Sequence, residues 1–370
     1  GMTVLSKAKT SIELAQEFKL GPPQVQKTLE RALGILVEKR ASRVPPKRDD
    51  KVILGWNATA ISALAKGAVA LRDDRYRRAA EAAIARLREE KLVSPARFSR
   101  RLAGGTSDHP AALADCALYL KAVLDTYEAS FDPALVEHAR DVAQWIERDF
   151  ADTPRAPESG ETESEETAGP GETADGGAYY STPAGIELIV PRRKPHFGSA
   201  LPSANGTHAR NLLRLHALTG DARFQARADG ILRESLAATG QAPSAAPELL
   251  IAALMRQRGI PEIVIAGDLR NPVMQGFLEP SLRGGIPYRV LAHRPIGEAG
   301  VRAEEMIPIL KDRAPIAGRP TAWFCENGVC QAPTQDFKIL RATIEAWLAP
   351  PATAPPNTAP TNAEAVQGED

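Results

Sequence analysis

Apolar residues recur at helical spacing through most of the chain, and the helical segments come in pairs. The polar breaks inside three of these pairs contain Asp73, Asp132 and Asp221, each placed to cap the helix that follows. A bulky residue stands three positions after each Asp and an alanine four positions later, which suits close packing of the two helices. We therefore predict a repeated antiparallel two-helix unit. The predicted pairs cover residues 57–71 with 76–92, 108–127 with 134–150, and 203–218 with 222–237.

The pattern changes after residue 258, where short β-branched runs replace the long helical periods. Strands are predicted at 261–267, 288–292, 321–325 and 329–331, with helices over 271–282 and 336–348. A further hairpin is predicted from two short runs at 178–182 and 186–190. The predicted fold class is mainly α, with antiparallel helix pairs followed by a small C-terminal α/β unit.

Two stretches lack large apolar residues and cannot bury enough surface to offset the entropy of ordering. One is an acidic insertion at 155–175 and the other is a Pro-rich tail at 350–370, and we predict that both are disordered. The predicted organisation is N-terminal helices over 1–48, a helical-hairpin array over 49–258, the α/β unit over 259–349 and the tail.

Charge and cysteine content narrow the classes of partner and compartment. The 370 residues carry 46 Lys and Arg against 46 Asp and Glu, so no basic excess favours nucleic acid or an anionic membrane. Three cysteines are too few for a disulfide scaffold and indicate a reducing compartment, which we expect to be the cytoplasm. The sequence has no apolar run long enough to span a bilayer.

Four groups of residues form recognisable motifs: 49–57 (DDKVILGWN), 115–129 with its LDTYEA end, the group 176–182, 192–194 and 202–205, and 325–333 (CENGVCQAP). Together they resemble motifs of the thioredoxin-domain-containing family named after a spermatogenesis-associated protein. The resemblance implies that the helix pairs form part of an (α/α)6 six-hairpin, glycosidase-like barrel. The thioredoxin-like domain and the first hairpins of that family have no counterpart in the sequence, so we expect it to represent the C-terminal part only.

In such a barrel the inner helices begin near one mouth, where polar side chains converge on a cavity. Glycoside hydrolysis would need two carboxylates, whereas epimerase chemistry would need a base such as His109 or His208. Three of the candidates also have a structural interpretation: Trp56 as a core plug, Asn57 as a helix cap and Asp115 as a buried acceptor. The candidate catalytic residues are Asp115 and His109, and the candidate substrate-binding residues are Trp56, Asn57, Asp108, Tyr179, Arg192 and Asn205.

The resemblance implies a protein that binds or acts on a carbohydrate, as a glycosidase or a sugar-epimerase-like enzyme. The family's Glu-Asp-Tyr stands here as Ala114-Asp115-Cys116, so whether the chain is an enzyme is left open. No cofactor is expected, and no metal site, because the histidines lack ligand spacing. The alternative is a noncatalytic interaction module, or a degenerate partner of a thioredoxin-like or barrel protein, which docks on a protein that supplies the missing hairpins.

Cys325 and Cys330 flank a predicted tight turn at residues 326–328. Across a hairpin their side chains could approach closely enough for a disulfide. No second pair exists to complete a zinc site, and the spacing differs from the two-residue spacing of redox motifs. We expect free thiols.

Overall fold

The structure is a computed structural model that describes residues 6, 8–106, 109–152, 177–187, 190–240, 242–283, 285–286 and 288–349. Within this part of the chain there are twelve α-helices and six short strands, so the mainly α fold class is confirmed. The insertion predicted at 155–175 and the tail predicted at 350–370 lie outside the described residues. The chain divides into two units after Asp50.

The first unit contains helices α1 (Ser11–Phe18) and α2 (Pro22–Ala41). A capping box starts α1, in which Thr10 Oγ1 accepts the Glu13 N–H at 3.2 Å and the Glu13 carboxylate accepts the Thr10 N–H at 2.6 Å. Proline occupies the first position of α2, where its missing N–H costs nothing. Local signals therefore define both helix starts.

The second unit begins with three helix pairs, and their linking turns share one capping device. The carboxylates of Asp73, Asp132 and Asp221 each accept a backbone N–H from the first turn of the following helix. The alanines predicted to face the partner helix, at positions 80, 139 and 228, are fully buried. The predicted repeat is confirmed. The pairs are α3 (Leu54–Leu71) with α4 (Asp74–Glu89), α5 (Leu113–Ser130) with α6 (Pro133–Phe150), and α7 (Ala204–Thr219) with α8 (Ala222–Thr239).

The first helices of the three pairs, α3, α5 and α7, lie side by side with their N-termini at the same end. Asn211 Nδ2 of α7 donates to the Ala117 carbonyl of α5 at 2.8 Å, one to two turns into each helix. A Cβ placed on Gly55 in α3 would lie 2.6 Å from Asp115 Oδ1 in α5, so these helix starts touch. This arrangement brings residues at equivalent helix positions together, as the barrel prediction required.

The remaining elements of the second unit are β1 (Val52–Ile53), β2 (Arg101–Leu102), α9 (Pro247–Arg258), β3 (Pro261–Ala266), α10 (Pro272–Arg283), β4 (Val290–Arg294), α11 (Glu298–Met306), β5 (Thr321–Glu326), β6 (Val329–Cys330) and α12 (Phe337–Leu348). Strands β1 and β2 form a separate antiparallel pair. The small α/β part has a four-stranded sheet of the order β4-β3-β5-β6, in which β3 is parallel to β4 and antiparallel to β5. One face of this sheet, including Val264 and Trp323, joins the core of the helix pairs, and the other, including Ile263 and Phe324, packs on α10 and α12.

The hairpin of β5 and β6 corrects the prediction of free thiols. Asn327 and Gly328 form its two-residue turn with φ of 51° and 78°, the signature of a type I′ turn. This turn places Cys325 directly opposite Cys330 with their Cα atoms 3.9 Å apart, and the two are joined by a disulfide. The prediction was wrong because the hairpin register brings the sulfur atoms into bonding contact.

The hairpin predicted at 178–182 and 186–190 is also wrong. Residues 177–187 and 190 form turns and irregular backbone, while residues 188 and 189 lie outside the described part. The Tyr180 N–H donates to the Phe150 carbonyl at 2.9 Å, and the Ser181 carbonyl accepts the Leu113 N–H at 3.0 Å. The segment therefore ties the start of α5 to the end of α6. In the described residues, we find no helix with the length and apolar character needed to cross a bilayer.

Candidate functional site

Two of the predicted site residues lie in the first turn of α3. Trp56 is 65% exposed, so the interpretation of Trp56 as a core plug is wrong. Asn57 Nδ2 donates to the Ile53 carbonyl at 2.9 Å. Because α3 begins at Leu54 with Ile53 as its capping residue, the interpretation of Asn57 as the helix cap is wrong.

Both candidate catalytic residues contact Arg100, Asp115 near its guanidinium and His109 through the backbone. Asp115, in the first turn of α5, is buried, accepts the Ala112 N–H at 3.0 Å and lies 3.6 Å from Arg100 Nη1. Burial raises the pKa of the Asp115 carboxyl, and this effect exceeds the opposing influence of Ala112 and Arg100. His109 is exposed, and its carbonyl accepts the Arg100 N–H at 2.7 Å. Asp108 lies outside the described residues.

Tyr179 and Asn205 bond to each other at the start of α7. The Tyr179 N–H donates to Asn205 Oδ1 at 2.8 Å, and Asn205 Nδ2 donates to the Tyr179 and Pro195 carbonyls at 3.0 Å each. The Tyr179 hydroxyl donates to Glu147. Arg192 donates to the Thr182 carbonyl at 2.8 Å. Protein groups therefore hold the polar atoms of these side chains, and their role toward a ligand stays a prediction.

A second cluster of polar side chains lies further along the same three inner helices. Its residues are not among those predicted from the sequence. Two adjoining cavities, of about 80 and 530 Å3, are lined by residues of this cluster, and four of these residues line both cavities. We call the cluster the polar cleft. Its charged residues are Lys66 of α3, Lys121, Asp125 and Glu128 of α5, Arg210 and Arg214 of α7, and Arg289 just before β4.

Asp125 is the central carboxylate of the polar cleft. It accepts hydrogen bonds from Lys121 Nζ at 2.6 Å and from Arg214 Nη1 at 2.9 Å, and it also accepts the Ser62 hydroxyl. Burial alone would raise the pKa of Asp125, but Arg214, Lys121 and Lys66 together lower it well below its usual range. Asp125 is therefore ionised at neutral pH.

Positive charge exceeds negative charge in the polar cleft. Glu128 accepts from Arg214 Nη2 at 3.2 Å and lies 3.4 Å from Arg289 Nη2. Arg210 pairs with Glu248 outside the cleft. Four cations then remain against the two carboxylates Asp125 and Glu128, namely Lys66, Lys121, Arg214 and Arg289. The Lys66 side chain is 64% exposed and lies 3.7 Å from Asp125. The cleft can therefore attract an anion.

One signal in the sequence could have indicated this cluster. Helix α5 is buried on nearly all sides, yet it carries Lys121 and Asp125 one turn apart. Buried charges are rare unless they are paired, so a charged pair in an otherwise apolar helix points to partners on other helices. The partners themselves, 59 to 89 positions away, have no local signature.

Comparison with known proteins finds relatives across most of the chain. Spermatogenesis-associated protein 20 of Homo sapiens is 28% identical over 347 residues, which cover 91% of this chain and 41% of that protein. The chain is therefore similar in sequence to spermatogenesis-associated protein 20. The protein of that name in Rattus norvegicus is also 28% identical over the same shares, and an uncharacterised protein of Caenorhabditis elegans is 21% identical over 90% of this chain and 43% of its own length.

These relatives confirm the family resemblance predicted from the sequence motifs. The chain spans about two fifths of the length of the curated relatives it matches, including spermatogenesis-associated protein 20. No family model matches the sequence. Among solved structures, a GH76 α-mannanase of Bacteroides thetaiotaomicron is similar at a TM-score of 0.41 and 13% identity, over 59% of this chain and 54% of that one.

Proposed function

We propose that the helical body binds a small anionic carbohydrate, such as a sugar phosphate or a sugar acid, in the polar cleft. The observation that carries the proposal is the excess of cations around a partly buried cavity between α3, α5 and α7. Lys and Arg side chains bind phosphate and carboxylate groups through charge-assisted hydrogen bonds. The carbohydrate part of the proposal rests on the sequence motifs, which resemble those of a family with a six-hairpin, glycosidase-like barrel.

Binding fits the polar cleft better than hydrolysis does. A glycosidase needs one carboxylic acid that keeps a proton for the leaving group. Asp125 is ionised because its cationic neighbours lower its pKa, so it is a poor proton donor. Glu128 is bound by Arg214 and faces Arg289. Asp115 has a raised pKa, but it lies at the helix starts and not beside this pair.

A thermal-shift screen tests the ligand class. Sugar phosphates and uronic acids should raise the melting temperature, because a ligand at about 100 times its Kd stabilises the folded state by about 2.7 kcal/mol. Neutral sugars of the same size should have a smaller effect. If neutral sugars or inorganic phosphate alone stabilise the protein as strongly as sugar phosphates do, the proposal of an anionic carbohydrate is wrong.

The matched variants are Lys66→Gln and Lys338→Gln. Lys66 is an exposed part of the polar cleft, and Lys338 is exposed on α12, away from the cleft. We expect Lys66→Gln to reduce the shift and Lys338→Gln to leave it unchanged. Equal shifts in the two variants would place the ligand elsewhere.

A second candidate function is an interaction module, and the exposed face of α2 favours it. Leu29, Leu33, Leu36 and Val37 are 38 to 62% exposed and recur at helical spacing along one side of the helix. Exposed apolar patches of this kind mark protein contact sites. We propose that this face docks on apolar helices of a partner protein. We also propose that both proteins are cytoplasmic.

Co-expression with the part of a full-length relative outside the matched region tests this second candidate. The two chains should co-elute in gel filtration. The double variant Leu33→Glu with Leu36→Glu should remain folded but elute alone, because docking would bury the two new carboxylates without a counter-charge. Co-elution that survives the double variant would rule out α2 as the docking face.

A further inference from the structure

The two cysteines of the Cys325–Cys330 disulfide differ in solvent exposure. Cys325 is fully buried in β5, whereas Cys330 is exposed at the edge strand β6. Thiol–disulfide exchange starts with attack of an external thiolate on an accessible sulfur. Cys330 is therefore the sulfur that an incoming thiol can reach, and Cys325 is the one that would leave.

Arg313 faces both sulfur atoms. Its Nη2 lies 3.0 Å from Cys330 Sγ and 3.7 Å from Cys325 Sγ. Its Nη1 donates to the Ile309 carbonyl, which fixes the guanidinium in place. A neighbouring cation favours the thiolate form of a cysteine, so Arg313 is positioned to stabilise whichever sulfur carries the charge during exchange.

Glu262 lies on the other side of Cys325. In the β3–β5 register it stands directly opposite Cys325, so both side chains project from the same face. Three residues on adjacent strands thus form one row: Glu262, Cys325 and Cys330. Burial raises the pKa of Glu262 to about 7, against the influence of Arg313 and the Gly328 N–H. The Glu262 carboxyl can therefore carry a proton near neutral pH.

A cavity of about 370 Å3 adjoins this row. Glu262 and Arg313 line it together with the turn residues Asn327 and Gly328, and Arg256 and His216 line its other sides. The volume suits a small molecule. Arg313 suits a carboxylate on it, as does Arg256, whose Nε also donates to Asp229 Oδ1 at 2.7 Å.

We propose that Cys325 and Cys330 are a redox-active pair that exchanges with a small, carboxylate-bearing thiol bound in the adjoining cavity. A first thiolate attacks Cys330 Sγ, forms a mixed disulfide and releases Cys325 as a thiolate, which takes the proton of Glu262. A second thiolate attacks the sulfur of the bound thiol in the mixed disulfide and releases Cys330 as a thiolate beside Arg313. Two thiols are oxidised to one disulfide, and the protein disulfide is reduced by the same two electrons.

Reduction of the folded protein by glutathione tests the pair. Samples are quenched with iodoacetamide, and the alkylated cysteines are counted by mass spectrometry. We expect reduction without denaturant, with a mixed disulfide of glutathione at Cys330 appearing before protein in which both cysteines are alkylated. A disulfide that resists glutathione until the protein is unfolded in guanidinium chloride would show a structural role and overturn the proposal.

Variants of the two neighbouring groups separate chemistry from packing. Arg313→Met should slow exchange about tenfold or more, because the leaving thiolate loses its cation, and Arg313→Lys should recover part of the rate. Arg302→Met, an exposed residue of α11, is the control and should match the wild type. Circular dichroism checks that each variant is folded. An Arg313→Met protein that reacts as fast as the wild type contradicts the proposal.

The pH profile tests the proton donor. At constant thiolate concentration, the wild-type rate should fall as pH rises through about 7, because Glu262 loses the proton that Cys325 needs. Among the described residues that line this cavity, the other charged or titratable groups are Arg313, Arg256 and His216. Asp229 pairs with Arg256, and Asp312 acts on Arg313. Glu262→Gln should remove the fall, while His216→Gln should keep it. A fall that survives Glu262→Gln would assign the step to another group.

The thiol itself tests the cavity. Glutathione carries carboxylates, whereas 2-mercaptoethanol is neutral apart from its thiol. After correction for thiolate fraction, glutathione should react faster, and Arg256→Met should reduce this advantage. Equal rates for the two thiols would show that the cavity does not bind the carboxylate of the thiol.

Discussion

At the residue scale, the buried charges of the polar cleft depend on one another. Asp125 balances Lys121 and Arg214, which are held away from water between the inner helices. Removing one partner of a buried ion pair leaves an uncompensated charge, which costs more than the pair contributes. The stability of the fold and the charge of the cleft are therefore linked through this carboxylate.

Asp125→Asn should lower the free energy of unfolding at pH 7 by about 3 kcal/mol, because it leaves Lys121 and Arg214 without their counter-charge. The folded-state pKa of Asp125 is lowered, so its contribution is complete above the unfolded value and is lost as pH falls through the folded one. Urea denaturation at neutral and acidic pH should show the difference from wild type narrowing in acid. Asp141→Asn, at an exposed position of α6, is the control. A constant difference across pH would contradict the assignment.

His208 is a buried group that the proposed function does not use. It is fully buried in α7, and neither ring nitrogen has a hydrogen-bond partner in the described part of the chain. The ring packs edge-on against Tyr179 at 4.8 Å between centroids. Burial lowers the pKa of His208 to about 3, so the folded protein holds it neutral.

The unfolded chain takes up a proton at this histidine below about pH 6.5, and the folded chain does not. His208 therefore costs the folded state about 2 kcal/mol between pH 7 and pH 5. His208→Leu should lose less stability over this interval, and it should be no less stable than wild type at pH 7 because it removes two unpaired nitrogens. Chemical denaturation at the two pH values measures both effects. An equal pH dependence in the two proteins would show that His208 becomes protonated in the folded state.

At the element scale, the helix pairs are defined by short-range signals. The three capping Asp residues and the spacing of apolar positions act within a few residues, so the sequence predicts the helix ends to within about three residues. The exception is the start of α5, which is predicted at 108 and observed at Leu113. The hairpin predicted near Pro183 failed because its backbone groups bond to the ends of α5 and α6, which no local pattern shows. The type I′ turn at Asn327-Gly328 was predictable, but the bonding of the two cysteines depends on strand register.

Asp132→Ala should destabilise the protein by about 1 kcal/mol, because the Ala134 N–H at the start of α6 loses its 3.1 Å acceptor. Asp132→Asn keeps a side-chain oxygen at the same place and should stay close to wild type. Thermal or urea unfolding measures the difference. Equal losses in the two variants would point to the charge of Asp132 and not to its cap.

At the scale of the whole molecule, both proposed sites combine residues that are distant in sequence. The polar cleft joins α3, α5 and α7 with Arg289, and the redox pair has its neighbours on β3 and before β5. Periodicity predicts which faces are buried, but it does not give the register of one helix against another. For this reason the sequence placed a site at the helix starts and missed the cleft further along the same helices.

Isothermal titration calorimetry with glucose 6-phosphate measures whether the polar cleft binds an anionic carbohydrate. We expect one site per chain, with a Kd that rises with salt and that rises about tenfold or more in the double variant Lys66→Gln with Arg289→Gln. Lys338→Gln should bind as the wild type does. Absence of binding to the wild type, or an unchanged Kd in the double variant, would show that the polar cleft does not bind this class of ligand.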